Sequence, residues 1–337
     1  MKIIIDAFGG DNAPLEIIKG AIDSKNEYGI DIMLVGDIDK IKDCAKKSNL
    51  DISSFELKQA DNVMLMTDHP TGILKSKSNT SMAVGLKSLS QDEGDAFVSA
   101  GSTGALLIGG TFIVKRIKGV KRAAIAGVMP SSDKPFMLID TGANVECSVP
   151  MLCQFATLGN IYMKHVMGVE NPRVALANIG TEETKGTPLL VEAYKELAKM
   201  DDINFIGNIE VRDIAFGKAD VVVADGFTGN VILKMYEGVA KALTNQIKDM
   251  FMKNIATKIS YLGVKSGMNE FRSKMDYKQY GGAPIVGLKQ PVIKAHGSSD
   301  ARALKNAVRQ AIAYIEKDVI GDITLEMKKL KEVSENE

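Results

Sequence analysis

The chain has 337 residues, 45% of them hydrophobic and 25% charged, and its 42 lysines and arginines match 42 aspartates and glutamates. That balance belongs to a folded globular protein rather than a disordered one. Zero formal net charge excludes the global field that gathers nucleic acid, so no nucleic-acid partner is expected and any electrostatic partner must be met locally.

In chain order, MKIIIDAFGGD turns acidic and glycine-rich after a few apolar positions, too soon for a signal peptide, and reads as a first strand. No stretch reaches the roughly 18 consecutive apolar residues of a membrane span, so the protein is expected in the cytoplasm, with membrane contact only at its surface. Short β-type runs then alternate with amphipathic helical stretches: KIIID at 2–6, DIMLVG at 31–36, AFVSA at 96–100, FMLID at 136–140, RVALAN at 173–178 and VVVAD at 221–225. Such alternation predicts a mostly parallel sheet covered by helices, and unbroken apolar runs suit strands buried on both faces. One two-lobed α/β domain is expected over 1–330.

Several runs empty into a polar glycine loop followed by a helical pattern: Asp6 to Asp11, Ser99 to Gly104, Asp140 to Asn144, Asn178 to Gly180, and Asp225 to Asn230. In open α/β sheets the carboxyl ends of strands form the ligand crevice, and helix N-termini there offer unpaired N–H groups to an anion. Two loops share G-x-T-G, GSTGAL at 101–106 and GFTGNV at 226–231, through duplication or through convergence on good turn chemistry. The stretch 241–282 differs: eight basic against three acidic residues leave a local excess of about +5, beside an apolar stripe that includes Ile259 and Leu262. Such a helix faces a membrane or an acidic partner, or packs its stripe on the core or across a dimer with the lysines solvated. The last residues read as a terminal helix or a fraying tail at 331–337.

No Walker-type loop and no clean G-x-G-x-x-G after the first strand is present, so no nucleotide cofactor is indicated. No G-x-S-x-G elbow appears either. Three cysteines (Cys44, Cys147, Cys153) and three histidines (His69, His165, His296) show no zinc-type spacing, so no metal is expected, and Cys147 and Cys153 read as small core residues. The loops offer backbone N–H groups, hydroxyls, amides and Lys185, a set suited to a phosphate and an oxyanion. Lys185 equally reads as a solvated lysine at a helix start, and His296 as an acid/base group, an anion donor or a satisfied buried histidine.

The segments MKIIIDAFGGDNAP, SAGSTGAL, DTGAN, QFATLGN, NIGTEETKG, NFIGNIE, DVVVADGFTGNVILKMYEG, YGGAPIVG and VIKAHGSSD occur together and in this order. The set closely resembles the phosphate acyltransferase family of bacterial membrane-lipid synthesis, from residue 1 to roughly residue 315. The resemblance implies a three-layer α/β/α sandwich similar to the isopropylmalate dehydrogenase and phosphate acetyltransferase fold, a homodimer with its site in an interlobe cleft, and a helical excursion at 241–282. It implies transfer of a long-chain acyl group from acyl carrier protein to inorganic phosphate without a cofactor, the acyl phosphate feeding a membrane-bound glycerol-3-phosphate acyltransferase.

Carried onto this chain, the motifs point to Lys185, Asn230 and His296 as catalytic. Substrate and phosphate contacts fall on Asp6, Gly9, Gly10, Ser102, Thr103, Gly104, Asn144, Asn178, Gly180, Asp225, Gly226, Thr228 and Gly229. Lys253, Lys258, Ile259, Leu262 and Lys265 are the expected contacts with carrier protein or membrane. The chain departs from the family at LKSKSNTSM, where Lys75 and Lys77 stand without the usual arginine, a bidentate phosphate donor. Milder departures are Ser102 for asparagine and Thr141 for valine.

Overall fold

A computed structural model describes the backbone of residues 1–275 and 277–336 and the side chains of 1–271 and 279–329. Arg272, Lys274, Asp276 and Lys278 of the basic stretch, and the side chains of the 331–337 tail, lie outside the described residues. The strands form one sheet in two halves. The first half runs β3 (Glu56–Gln59), β2 (Asp31–Gly36), β1 (Lys2–Asp6), β4 (Ala96–Ser99), β11 (Val292–Lys294), all parallel. The second runs β6 (Phe136–Ile139), β9 (Val221–Val223), β7 (Arg173–Asn178), β8 (Asn204–Glu210), also parallel among themselves. Between them lie β10 (Ala283–Val286) and β5 (Ala124–Met129).

Seven of the ten neighbouring pairs are parallel, as the apolar runs predict, but the centre is not: β11/β10, β10/β5 and β5/β6 are antiparallel. Register is fixed there by Ala283 opposite Lys294, Ile285 opposite Ile125 and Ala126 opposite Ile139. The two half-sheets therefore point their carboxyl ends in opposite directions. Loops after β1, β4 and β11 rise at one edge, and those after β6, β9 and β7 at the other.

Alternate side chains of each strand serve opposite faces, which makes three layers. In the first half, Ile3, Ile5 and Val98 pack under α1 (Leu15–Tyr28) and α9 (Ala301–Glu316), with α2 (Ile38–Lys47) beside α1. Ile4, Met33 and Phe97 pack on the other face, under α3 (Ser81–Ser90) and α4 (Thr103–Gly109). In the second half, Met137, Ile139, Val174 and Val221 meet α5 (Val149–His165), α6 (Pro188–Leu197) and α10 (Val319–Asn336). Phe136, Leu138 and Ala175 face the start of α7 (Gly226–Met252).

The faces differ at the seam. On one side the division between clusters falls between β11 and β10, with Ile293 in one and Ala124, Ala126, Val128 and Val286 in the other. On the other the core splits, with Ile125 and Ile285 in one cluster and Met129 in another. The gap between these clusters holds a cleft.

α7 has its buried residues Gly226, Gly229 and Ile232 in its first turns and packs against α8 (Ile255–Met275). Phe251 and Tyr261 meet between them as tilted rings, centroids 5.3 Å apart. Met235, Leu243, Met250, Ile255, Ile259 and Leu262 are exposed. Within one chain these exposed residues of the apolar stripe thus do not pack on the core. Among the described residues no helix is long and apolar enough to cross a membrane.

Candidate active site

The loops at strand ends are held by their own carboxylates. Asp6, closing β1, is buried; it accepts the Ser99 hydroxyl at 2.7 Å and the Phe8 N–H at 3.2 Å. Gly10 has φ +97°, and a β-carbon there would stand 2.8 Å from the Gly297 carbonyl oxygen, which accepts the Asp11 N–H at 2.8 Å. A side chain at residue 10 would push the first loop off the β11 end, and the left-handed backbone adds to that cost. Asp140, after β6, is fully buried and accepts N–H groups from Ile125, Gly142, Ala143 and Asn144 as well as the Asn144 amide. Burial pushes both carboxyls above the ordinary aspartate range, against the donors that pull them down. Asp225 caps α7, taking the Thr228 N–H at 2.8 Å and its hydroxyl at 2.7 Å. These aspartates organise loops, and a carboxylate there would repel phosphate rather than bind it.

The amides divide in the same way. Asn144 spends its NH₂ on Asp140 and on the Ala123 carbonyl, each at 2.9 Å. Asn178 donates to the Lys185 carbonyl at 3.0 Å and accepts from Ile179 N–H at 2.8 Å, bracing the 179–187 loop. That loop carries Gly180 and Lys185 at the rim. The Lys185 side chain is 49% exposed, its Nζ 3.9 Å from Glu182. Ser102 caps α4 by accepting the Ala105 N–H, and Gly104 stands against Pro70. Gly9 and Gly226 are close backbone approaches to Gly101 and Asn144. At Gly229 a β-carbon would collide with the Asp140 carbonyl oxygen.

The cleft has a volume of about 190 Å³ and runs along one face of β5, from Thr141 and Asn230 at one end to Thr103, Lys294 and His296 at the other. Ile125, Gly127 and Met129 form its floor, and Leu233, Lys234 and Glu237 of α7 one wall. Of the expected site residues, Thr103, Asn230 and His296 line it, and they come from opposite half-sheets. The opposed carboxyl ends meet over the seam because the floor spans only about 13 Å of strand. Lys185, Asn178, Gly180, Asn144, Lys253, Lys258, Ile259, Leu262 and Lys265 do not line it. Nor do Lys75 and Lys77; Lys77 pairs with Asp68 at 3.0 Å.

Lys294 and Lys234 are cleft residues that motif reading passes over. Lys294 is only 8% exposed, and its Nζ donates to the carbonyls of Ala100, at 3.4 Å, and Ala295. Burial, with Lys234 nearby, lowers its pKa to about 8, although Asp11 and Asp6 oppose the shift. A lysine closing the doubly buried strand VIK is the anomaly that could have exposed it. Lys234 is exposed and pairs with Glu237 at 3.0 Å.

At His296 the Ser298 N–H donates to Nδ1 at 3.2 Å, with the Ser298 hydroxyl at 2.9 Å. This places the proton of the neutral ring on Nε2. Burial pushes the Cys147 and Cys153 thiols up to about 11, which keeps these two thiols from acting as thiolates at neutral pH. Among the described residues no group of three His, Cys, Asp or Glu is placed to hold a metal.

The model of a family described as fatty acid synthesis protein matches residues 1–321. A phosphate acyltransferase of Clostridioides difficile (strain 630) is 42% identical over 337 residues, covering 100% of this chain and 99% of its own. The chain belongs to the phosphate acyltransferase family. Another phosphate acyltransferase, of Clostridium novyi (strain NT), is 45% identical over 324 residues, covering 96% of this chain and 97% of its own. Membership makes this chain an acyltransferase. Its fold is similar to that of a phosphotransacetylase from Streptococcus pyogenes, at TM-score 0.65 and 15% identity, covering 94% of both chains. The EutD phosphotransacetylase from Staphylococcus aureus gives a TM-score of 0.62 at 18% identity, covering 93% of this chain and 94% of its own.

Proposed function

We propose that this enzyme transfers a long-chain fatty acyl group from acyl carrier protein to inorganic phosphate, supplying acyl phosphate for membrane phospholipid synthesis. The observation that carries the reading is the cleft itself. It gathers two lysines, a histidine N–H donor, two threonine hydroxyls and an amide around a partly apolar floor, and no cysteine is part of its lining. A reaction whose nucleophile is the phosphate needs this equipment and no more. The protein seats the anion about 3 Å from the thioester carbonyl and stabilises the tetrahedral oxyanion with donors already in place. Asn230 and Thr103, at opposite ends of the floor, suit the two ends of such a complex, and the Nε2–H of His296 suits the oxyanion or the departing sulfur.

The basic, apolar-faced helix pair supports the remaining assignments. Lys253, Lys258 and Lys265 offer a dock for an acidic carrier protein, and exposed Ile259 and Leu262 suit a peripheral rest on the bilayer. The enzyme would work as a homodimer on the cytoplasmic side, handing acyl phosphate to a membrane-bound glycerol-3-phosphate acyltransferase.

The test is release of free thiol from palmitoyl-carrier protein with and without inorganic phosphate, against acetyl-CoA as control. Phosphate-dependent release from the carrier-protein thioester alone is expected. Release from acetyl-CoA in preference would replace the reading with a short-chain phosphotransacylase, and no release from either donor would overturn it.

A further inference from the structure

Lys294 is a buried cation that Asp6 and Asp11 compensate only from a distance. Among the described residues no carboxylate lies within ion-pair distance of its Nζ, and two main-chain carbonyls are its hydrogen-bond partners. An ammonium has three N–H donors, so one remains at the cleft, where Lys294 is part of the lining. The cleft also brings a second cation, Lys234, toward the same space, and the two repel. Burying an unpaired ammonium beside a like charge is costly. An anion between them removes both costs at once.

Resting on the reading of the cleft as a phosphate acyltransferase site, we propose that Lys294 is the phosphate-gripping residue of the enzyme: its free N–H holds an oxygen of inorganic phosphate at the His296 end of the cleft, with Lys234 as the outer cation. From that seat a phosphate oxygen attacks the thioester carbon. The new C–O bond forms, the C–S bond breaks with its electron pair on sulfur, and the proton lost by HPO₄²⁻ ends on that sulfur. Acyl thioester plus HPO₄²⁻ gives acyl phosphate dianion plus thiol, and Lys294 ends the cycle with the proton it began with. The groups facing Lys294 are Asp6 and Asp11 of the first loop, Lys234 and Glu237 of α7, and His296 beyond the end of its own strand. Gripping by ammonium therefore weakens as the solution is made alkaline, because burial and Lys234 outweigh the pull of Asp6 and Asp11 on the proton.

Calorimetric titration of the full-length wild type and Lys294→Met with inorganic phosphate tests the proposal, alongside the phosphate and donor dependence of thiol release. Removing one partner of a buried charge pair is expected to weaken phosphate binding about a hundredfold and to raise the KM for phosphate in parallel, while the KM for palmitoyl-carrier protein stays within about twofold. Phosphate affinity equal to wild type in Lys294→Met would overturn the assignment. A variant-free measurement guards against misfolding: phosphate is expected to slow amine-directed labelling of Lys294 in the wild type at least about tenfold, as read by mass spectrometry, and unchanged labelling would overturn it too. If the wild type binds phosphate through Lys294 but releases no thiol, the acyl-transfer reading fails while the grip stands.

Discussion

Two lysines, one closing a buried strand and one in the loop after another, have opposite fates. Lys185 sits in the 179–187 loop after β7, half exposed, opposite Glu182. Lys294 closes β11, buried, against two carbonyls and the cleft. The first sits in a recognisable motif, NIGTEETKG, and the second at the end of a short strand. Solvent screens the first so heavily that its charge does little work, whereas the second keeps its field because water is excluded. A motif marks where the chain must turn; burial decides where charge has chemical force.

The sharpest contrast should be in stability. Lys294 has its pKa lowered to about 8 by burial, so the folded state binds its proton less tightly than the unfolded chain does. Above that pKa, up to the ordinary lysine value, the unfolded state carries more proton and stability rises with pH; below it the full cost is present. Lys294→Met should therefore stabilise the protein at pH 7 by about 2 kcal/mol, somewhat under the ~3 kcal/mol ceiling set by the shift. The gap should have narrowed to under about 1 kcal/mol by pH 10. Lys185→Met should change stability by less than about 0.5 kcal/mol at either pH. Urea unfolding of the three proteins at both pH values measures this, and a destabilised Lys294→Met would break the comparison.

The next effect is geometric. Gly127 lies on the cleft floor, and a β-carbon there would meet only the Thr141 methyl, at 3.6 Å. Gly127→Val should fold normally and lower kcat/KM for the acyl donor roughly twentyfold by occupying the floor, a displacement of the kind that costs large factors in rate. Normal kinetics would place the donor elsewhere. Smaller still, reversing Lys253, Lys258 and Lys265 to glutamate should raise the KM for acyl-carrier protein about fivefold at low salt and leave the KM for phosphate unchanged. Lys185→Ala should alter turnover least, by under about threefold, as expected for an exposed ion pair. A hundredfold loss would restore the 179–187 loop to the catalytic apparatus and erase the distinction between the two lysines.

Much of the fold was readable from strands that are apolar without interruption, such as Ile3 to Ile5 and Val221 to Val223, because burial on both faces leaves no alternative pattern. The seam was not. AIAGVM, APIV and VIK are short or glycine-interrupted, and their antiparallel pairing joins Ile285 to Ile125 from distant parts of the chain, which no local pattern encodes. The candidate site shows the same limit. Thr103, Asn230 and His296 follow legible strand-loop signals and do meet in the cleft. Asn144 and Asn178 give equally good signals, yet their NH₂ groups are spent on Asp140, Ala123 and Lys185. Whether an amide donates to a ligand or to its own loop depends on neighbours fixed only by the fold.

The position of β10 and β11 also governs when the enzyme can exist. Both are made late in synthesis, yet they sit at the middle of the sheet, between β4 and β5. A nascent chain emerging from the ribosome must hold two half-sheets apart, each with an unpaired inner edge, until residues 283–294 arrive to bridge them. Such edges invite pairing with other chains, and late, non-local closure prolongs their exposure. Because Lys294 is the last residue of the final strand, joining the lobes and arming the cleft happen in the same act, and a prematurely terminated chain has no half-assembled catalyst to offer.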